Sequence, residues 1–117
     1  MDKNVLKVKI HRFIKLVYGI TKNFPRDELY GLVSQIRRAA VSVMLNFLEG
    51  FARIKPKVKL NFYEISYGSI KECKYIIYLS KELNYISEDS YTEIINLAEE
   101  VCAMLWTTIQ TAKTECT

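Results

Sequence analysis

The sequence predicts an all-α chain, folded as an antiparallel up-down-up-down four-helix bundle, and three observations carry that expectation. Four glycines and two prolines in 117 residues are too few for a turn-rich β fold. Apolar side chains recur at alternating steps of three and four through four long segments. The links between those segments, near 23–26, 54–56 and 84–87, are short, which makes successive helices antiparallel neighbours. Half the residues are hydrophobic and 26% charged, ordinary for a globular chain, so residues 1–117 read as one domain.

The first helix, about 3–23, has the cleanest period. Leu6, Ile10, Phe13, Val17, Ile20 and Phe24 fall within about an 80° arc at helical pitch. Lys7, His11, Lys15, Tyr18 and Lys22 lie opposite, and Pro25 ends the helix by pushing its predecessor out of helical geometry. The second helix, about 27–53, opens with Asp27 and Glu28, where the helix dipole favours negative charge. Its core stripe is Leu29, Leu32, Ile36, Ala39, Val43 and Phe47. The third, about 57–83, follows Pro56, a good first-turn residue, with a core line of Val58, Phe62, Ile65, Ser69, Cys73, Ile76, Ser80 and Leu83. The fourth, about 88–113, is capped by Ser87 with Glu88 and Asp89 behind it. It buries Tyr91, Ile94, Ala98, Val101, Leu105, Ile109 and Ala112.

Composition narrows the function classes. Cys73, Cys102 and Cys116 form no CxxC pair, and with His11 as the lone histidine no metal site is expected. Unpaired cysteines fit a reducing, cytoplasmic setting. Lys3, Lys7 and Lys9 interrupt every apolar window at the start, so no signal peptide is expected. The longest apolar run, near Val41–Phe51, is broken by Asn46 and Glu49 and is too short to span a membrane. The net charge of +4 is uneven. Residues 1–26 hold seven Lys/Arg against one acid, and residues 55–83 hold six against three. Residues 84–117 hold one against six, so one basic and one acidic surface are expected.

The second helix carries an unusual pattern. Gln35, Arg38, Ser42, Asn46, Glu49 and Arg53 form a polar line within about an 80° sector at 100° per residue. Its core stripe lies on one flank, and Val41, Met44, Leu48 and Phe51 make a second apolar surface on the other. A bundle helix needs one buried stripe, and a second one is the kind of patch monomers avoid. The second flank is therefore expected to meet another subunit, with the polar line fixing register beside it. A plain solvent face is the alternative.

These residues resemble a known family. Phe24, Pro25, Glu28, Gly31, Leu32, Gln35, Ile36, Arg37, Arg38 and Ala39 match the pattern of the 23S ribosomal RNA intervening-sequence protein family. Ser42, Asn46, Glu49, Gly50, Arg53, Gly68, Ser69 and Glu72 continue it, so the resemblance covers nearly the whole chain. Met44 and Leu45 stand where the family often has small residues or proline, and Ile54-Lys55-Pro56 where it often has a Ser or Thr cap. The resemblance implies an up-down bundle assembling as a ring-like homopentamer. The family is also similar in fold to the accessory protein of diversity-generating retroelements, a basic pentamer that engages a reverse transcriptase and nucleic acid. The resemblance implies no particular activity, and an origin within an rRNA insertion is a genomic location rather than a function.

No enzymatic constellation emerges. Gly50 and Gly68 stand alone inside helices rather than in a phosphate loop, and Ser69 has no histidine near it in sequence. No catalytic residue, cofactor or metal is expected. Binding has better material: Leu60, Tyr63, Tyr67, Lys71, Lys74, Tyr78 and Lys81 share about an 80° sector of the third helix. Interleaved tyrosine and lysine suit nucleic acid, with ammonium groups on phosphates and rings on unpaired bases. The same composition suits a protein interface or a solvated face. Lys7, Arg12, Lys15 and Lys22 on the first helix, with Arg37, add to the basic surface, and a ring would repeat it. The leading expectation is a non-enzymatic homo-oligomer binding RNA or DNA. Its rival is an oligomeric adaptor for a protein partner such as a reverse transcriptase.

Overall fold

The computed structural model describes residues 3–116. Among these residues the chain is all-α, with four long helices and no strand: α1 Lys3–Thr21, α2 Ser34–Ala52, α3 Pro56–Glu82 and α4 Glu88–Glu115. They pack into a compact body of 47 × 25 × 19 Å. Each helix lies against its neighbour in the chain, and α1 also packs on α4. Among the described residues no helix is long and apolar enough to cross a membrane.

Local signals place the helix ends. Pro56 opens α3 at its first position, where its missing N–H costs nothing. The Ser87 hydroxyl caps α4 by accepting from the Ser90 N–H at 3.1 Å. Asn84, in the left-handed region at φ 63°, closes α3. There the Asn84 N–H donates to Lys81 O and the Tyr85 N–H to Ser80 O, both at 2.9 Å, which satisfies the last-turn carbonyls.

The second helix departs from expectation. Residues 26–33 form a 3₁₀ turn, Arg26–Glu28, and a wide π turn, Leu29–Val33, before regular α2 begins. The cause is Glu28, whose carboxylate folds back to accept from the Leu32 N–H at 3.3 Å. A Cβ on Gly31 would meet that carboxylate oxygen at 2.7 Å, so glycine there leaves room for the carboxylate to fold back. Leu29 consequently leaves the core and is exposed.

The core stripes of α1 and α4 follow the sequence period, with Leu6, Ile10, Phe13, Val17, Ile94, Ala98, Val101, Leu105 and Ile109 all buried. On α3 the expected Ser69, Cys73, Ile76 and Ser80 are buried, but Tyr63, Ser66, Ile70 and Ile77 complete the line in place of Val58, Phe62, Ile65 and Leu83. This line is rotated roughly 50° from the expected one at 100° per residue. Ile65 is 51% exposed, and Leu83 is exposed as well. Three of the buried positions are serines, Ser66, Ser69 and Ser80. Ser66 Oγ donates to Val43 O at 2.7 Å, and Ser80 Oγ to Ile76 O at 2.7 Å, so each buried hydroxyl is satisfied.

Candidate functional site

The polar line of α2 faces the edge of α3, and most of it is bonded within the chain. Arg38 Nη2 donates to Glu72 Oε2 at 2.9 Å and to Gln35 Oε1 at 3.4 Å. The Ser42 and Ser69 hydroxyls meet at 2.9 Å. Asn46 Nδ2 donates to Ser42 O and Oγ at 2.9 and 3.0 Å. Arg53 Nη2 pairs with Glu49 Oε2 at 2.7 Å, and its guanidinium lies over the Phe62 ring. The line thus cross-links α2 to α3 through Arg38–Glu72 and Ser42–Ser69. The ion pairs are exposed and individually weak, so their value is in alignment rather than stability.

The apolar flank of α2 is partly covered. Val41 and Met44 are half-buried, while Leu48 is exposed and Phe51 is 54% exposed. Leu45, 57% exposed between this flank and the polar line, and Ile54 beyond the helix end extend it. Sequence reading left both out, although Leu45 lies four residues from Val41 and shares its face.

The lysine–tyrosine face of α3 does not stand clear. Tyr63 is a core residue at 1% exposure, because its ring fills the space that a side chain on Gly50 would need. Burial, and then Glu115, push its hydroxyl above its ordinary pKa. Lys74 pairs with Glu99 at 2.7 Å, and Lys81 pairs with Glu88 at 3.7 Å and lies over the Tyr91 ring. Tyr67 packs at a tilt against Trp106, 5.8 Å between ring centroids, and Lys71 lies over Tyr67. Cys102, and then Tyr67, hold the Lys71 ammonium above its ordinary pKa. The acidic α4 therefore compensates two of the three lysines that the sequence offered on α3.

The α1 face is different. Lys7, Arg12, Lys15 and Lys22 are exposed and make no ion pair among the described residues, and Lys9 alone on this helix reaches an acid, Glu100, at 2.6 Å. Arg37 of α2 joins them. It is half-buried, its Nε donates to Thr21 Oγ1 at 2.9 Å, and its guanidinium lies 4.5 Å over the Tyr18 ring. The arrangement can bind anions, and Arg37 holds its charge in a fixed place. No group of three or more His, Cys, Asp or Glu among the described residues could hold a metal ion. Cys73 is buried, and burial, then Glu72, push its thiol up to about 12.

The sequence profile of the 23S rRNA-intervening sequence proteins matches residues 2–107. The chain belongs to that family. A solved structure from Bacteroides thetaiotaomicron, described as a protein of unknown function from the S23 ribosomal protein family, is similar in fold with a TM-score of 0.86. It is 23% identical, and the match covers 94% of this chain and 99% of that one. Comparison with curated proteins returns no match. Membership in the 23S rRNA-intervening sequence family gives the residues above a context. The matched region takes in α1, α2, α3 and most of α4, hence the polar line, the Gly50–Tyr63 contact and the α1 cations together.

Proposed function

We propose that this chain is a non-catalytic, self-assembling bundle protein that binds RNA or DNA along α1. The observation that carries the proposal is the unequal compensation of charge. Lys74 and Lys81 on α3 stand against Glu99 and Glu88 of α4, whereas Lys7, Arg12, Lys15, Lys22 and Arg37 have no acid within ion-pair distance among the described residues. Uncompensated cations on one ridge release counterions when they meet phosphates, and that release is the main source of sequence-independent affinity.

Assembly makes the ridge effective. The contacts Arg38–Glu72, Ser42–Ser69 and Gly50–Tyr63 descend along α3 as they ascend α2, and Lys74–Glu99 and Lys81–Glu88 do the same between α3 and α4. With Arg37–Thr21 and Lys3–Phe51 between α1 and α2, they support an up-down-up-down order. That order leaves the outer strip of Leu45, Leu48 and Phe51 on one side of the molecule. A strip of this kind is best covered by another copy, closing a ring-like homopentamer in which the basic ridge repeats and effective concentration rises. The free cysteines suit a cytoplasmic setting. A second reading, an adaptor for a protein partner, is favoured by the charge-compensated Tyr67–Trp106 face of α3 and α4.

The test is fluorescence anisotropy with labelled single-stranded and duplex RNA and DNA across a salt series. Binding should weaken linearly in log–log form, with a slope of about −0.7 per phosphate neutralised on single strands and about −0.9 on duplex. No binding to any of them at low salt overturns the nucleic-acid reading and leaves the adaptor.

A further inference from the structure

A cavity of about 330 Å³ lies where α1 ends and the irregular turn before α2 begins, lined by Thr21, Lys22, Pro25, Arg26, Leu29 and Arg37 among others. Three of its lining side chains are cationic, and none is acidic. The nearest carboxylates in the chain, Asp27 and Glu28, do not line it. Glu28 is already engaged, accepting from the Leu32 N–H at 3.3 Å and the Tyr85 hydroxyl at 2.9 Å. Lys22, Arg26 and Arg37 make no ion pair among the described residues.

Arg37 is the organising group. Its guanidinium is held by neutral partners, the Thr21 hydroxyl through Nε and the face of Tyr18, so its position is set without its charge being cancelled. The terminal nitrogens make no hydrogen bond among the described residues and are available as a bidentate fork for an oxyanion. Attraction of cations to the end of the α1 dipole is not enough to explain the cluster. The carbonyls there are already occupied: Thr21 Oγ1 donates to Val17 O, the Asn23 N–H to Ile20 O and the Phe24 N–H to Thr21 O. The remaining walls, Phe24, Pro25, Leu29 and Val33, are apolar. Leu29 stays exposed at this site instead of entering the core.

We infer that this cavity binds the terminal phosphate monoester of a nucleic-acid strand, with the adjoining nucleoside against Pro25 and Leu29. The inference rests on the nucleic-acid reading above and names a subsite for it. A terminal monoester carries nearly two negative charges near neutral pH, against one on an internal diester, and three converging cations favour the former. The volume lies at the small end of the roughly 300–1,000 Å³ range of small-ligand sites, suited to one nucleotide rather than a duplex.

The experiment compares a 5′-phosphorylated oligonucleotide with its 5′-hydroxyl counterpart, and a 3′-phosphorylated with its 3′-hydroxyl counterpart, on the full chain. The wild type should prefer at least one phosphorylated end by about tenfold, as expected of added charge-assisted hydrogen bonds. Arg37→Gln should remove that preference. A Lys22→Gln/Arg26→Gln double variant, at two exposed positions, should reduce it and guards against a folding defect in the Arg37 variant. Lys7→Gln should weaken phosphorylated and hydroxyl strands alike and keep their ratio. Equal affinity of wild type for every phosphorylated and hydroxyl pair overturns the subsite while leaving strand binding intact. A preference that survives in both the Arg37 and the double variant overturns it too. Should the chain bind no strand yet bind a nucleoside monophosphate through Arg37, the cavity is a nucleotide site and the proposed strand end is overturned.

Discussion

The Tyr63 ring occupies the space that a side chain on Gly50 would need: a Cβ there would stand 2.6 Å from Tyr63 Cε1. Gly50 is buried inside α2, and its missing side chain lets a ring from α3 enter the core beside Phe47, at 5.9 Å between ring centroids. The Tyr63 hydroxyl is buried with no hydrogen-bond partner among the described residues. Two opposite outcomes follow. Gly50→Ala overpacks the contact and should destabilise the fold by about 1–3 kcal/mol. Tyr63→Phe removes an unsatisfied polar group and should be neutral or stabilising by about 1 kcal/mol. Urea denaturation measures both, and a Tyr63→Phe chain that loses stability would show that the hydroxyl has a partner in solution.

Nucleic-acid affinity should divide unequally between helices. Replacing Lys7, Arg12 and Lys15 together by Gln should remove about 2 units of the log–log salt slope on single strands, at about 0.7 per phosphate contact. Replacing Lys74 and Lys81 should change it little, since Glu99 and Glu88 already hold those ammonium groups in ion pairs and keep them from phosphates. A larger loss from the α3 pair than from the α1 triple contradicts the ridge.

Assembly should depend on the outer face of α2. Leu45→Glu places a charge on the exposed strip and should reduce the mass measured by light scattering toward the 13.7 kDa of one chain. Helical content should not change, because Leu45 does not belong to the core. A wild-type mass of 13.7 kDa at high concentration removes the ring and the repetition of charge with it.

Alkaline conditions should weaken the fold through Cys73. Its thiol moves from an ordinary value of 9.0 to about 12 in the folded chain, so folding favours the neutral form. The stabilisation is complete below pH 9.0, declines as the unfolded chain alone ionises, and is gone as pH rises through about 12. Tyr85, raised chiefly by its hydrogen bond to Glu28, acts in the same direction. Cys73→Ala should flatten the decline measured by denaturation between pH 8 and pH 11, roughly the window around those values. An unchanged slope would place the sensitivity on the tyrosines.

Much of the local structure was legible in the sequence. The stripes of α1 and α4, the first-turn role of Pro56 and the Ser87 cap all depend on residues within a few positions of one another, so spacing and side-chain chemistry suffice. The Glu49–Arg53 pair, one helical turn apart, was legible for the same reason. The register of α3 was not, because Ile65 and Tyr63 are both good core candidates. The choice between them lies with Gly50 on another helix, which accepts a ring in close contact. The break at Gly31 was hidden in a similar way, since it depends on a carboxylate folding back onto the chain.

Sequence by itself determined four amphipathic helices, their order, and which of them carry basic or acidic residues, because periodicity and charge are properties of short segments. Tertiary structure alone decided which cations remain available. Lys74 and Lys81 are compensated because α4 places Glu99 and Glu88 within ion-pair distance, while Arg37 is held by Thr21 and Tyr18 with its charge intact. Coulomb interactions act across space rather than along the chain, so a lysine's availability is read from what stands opposite it.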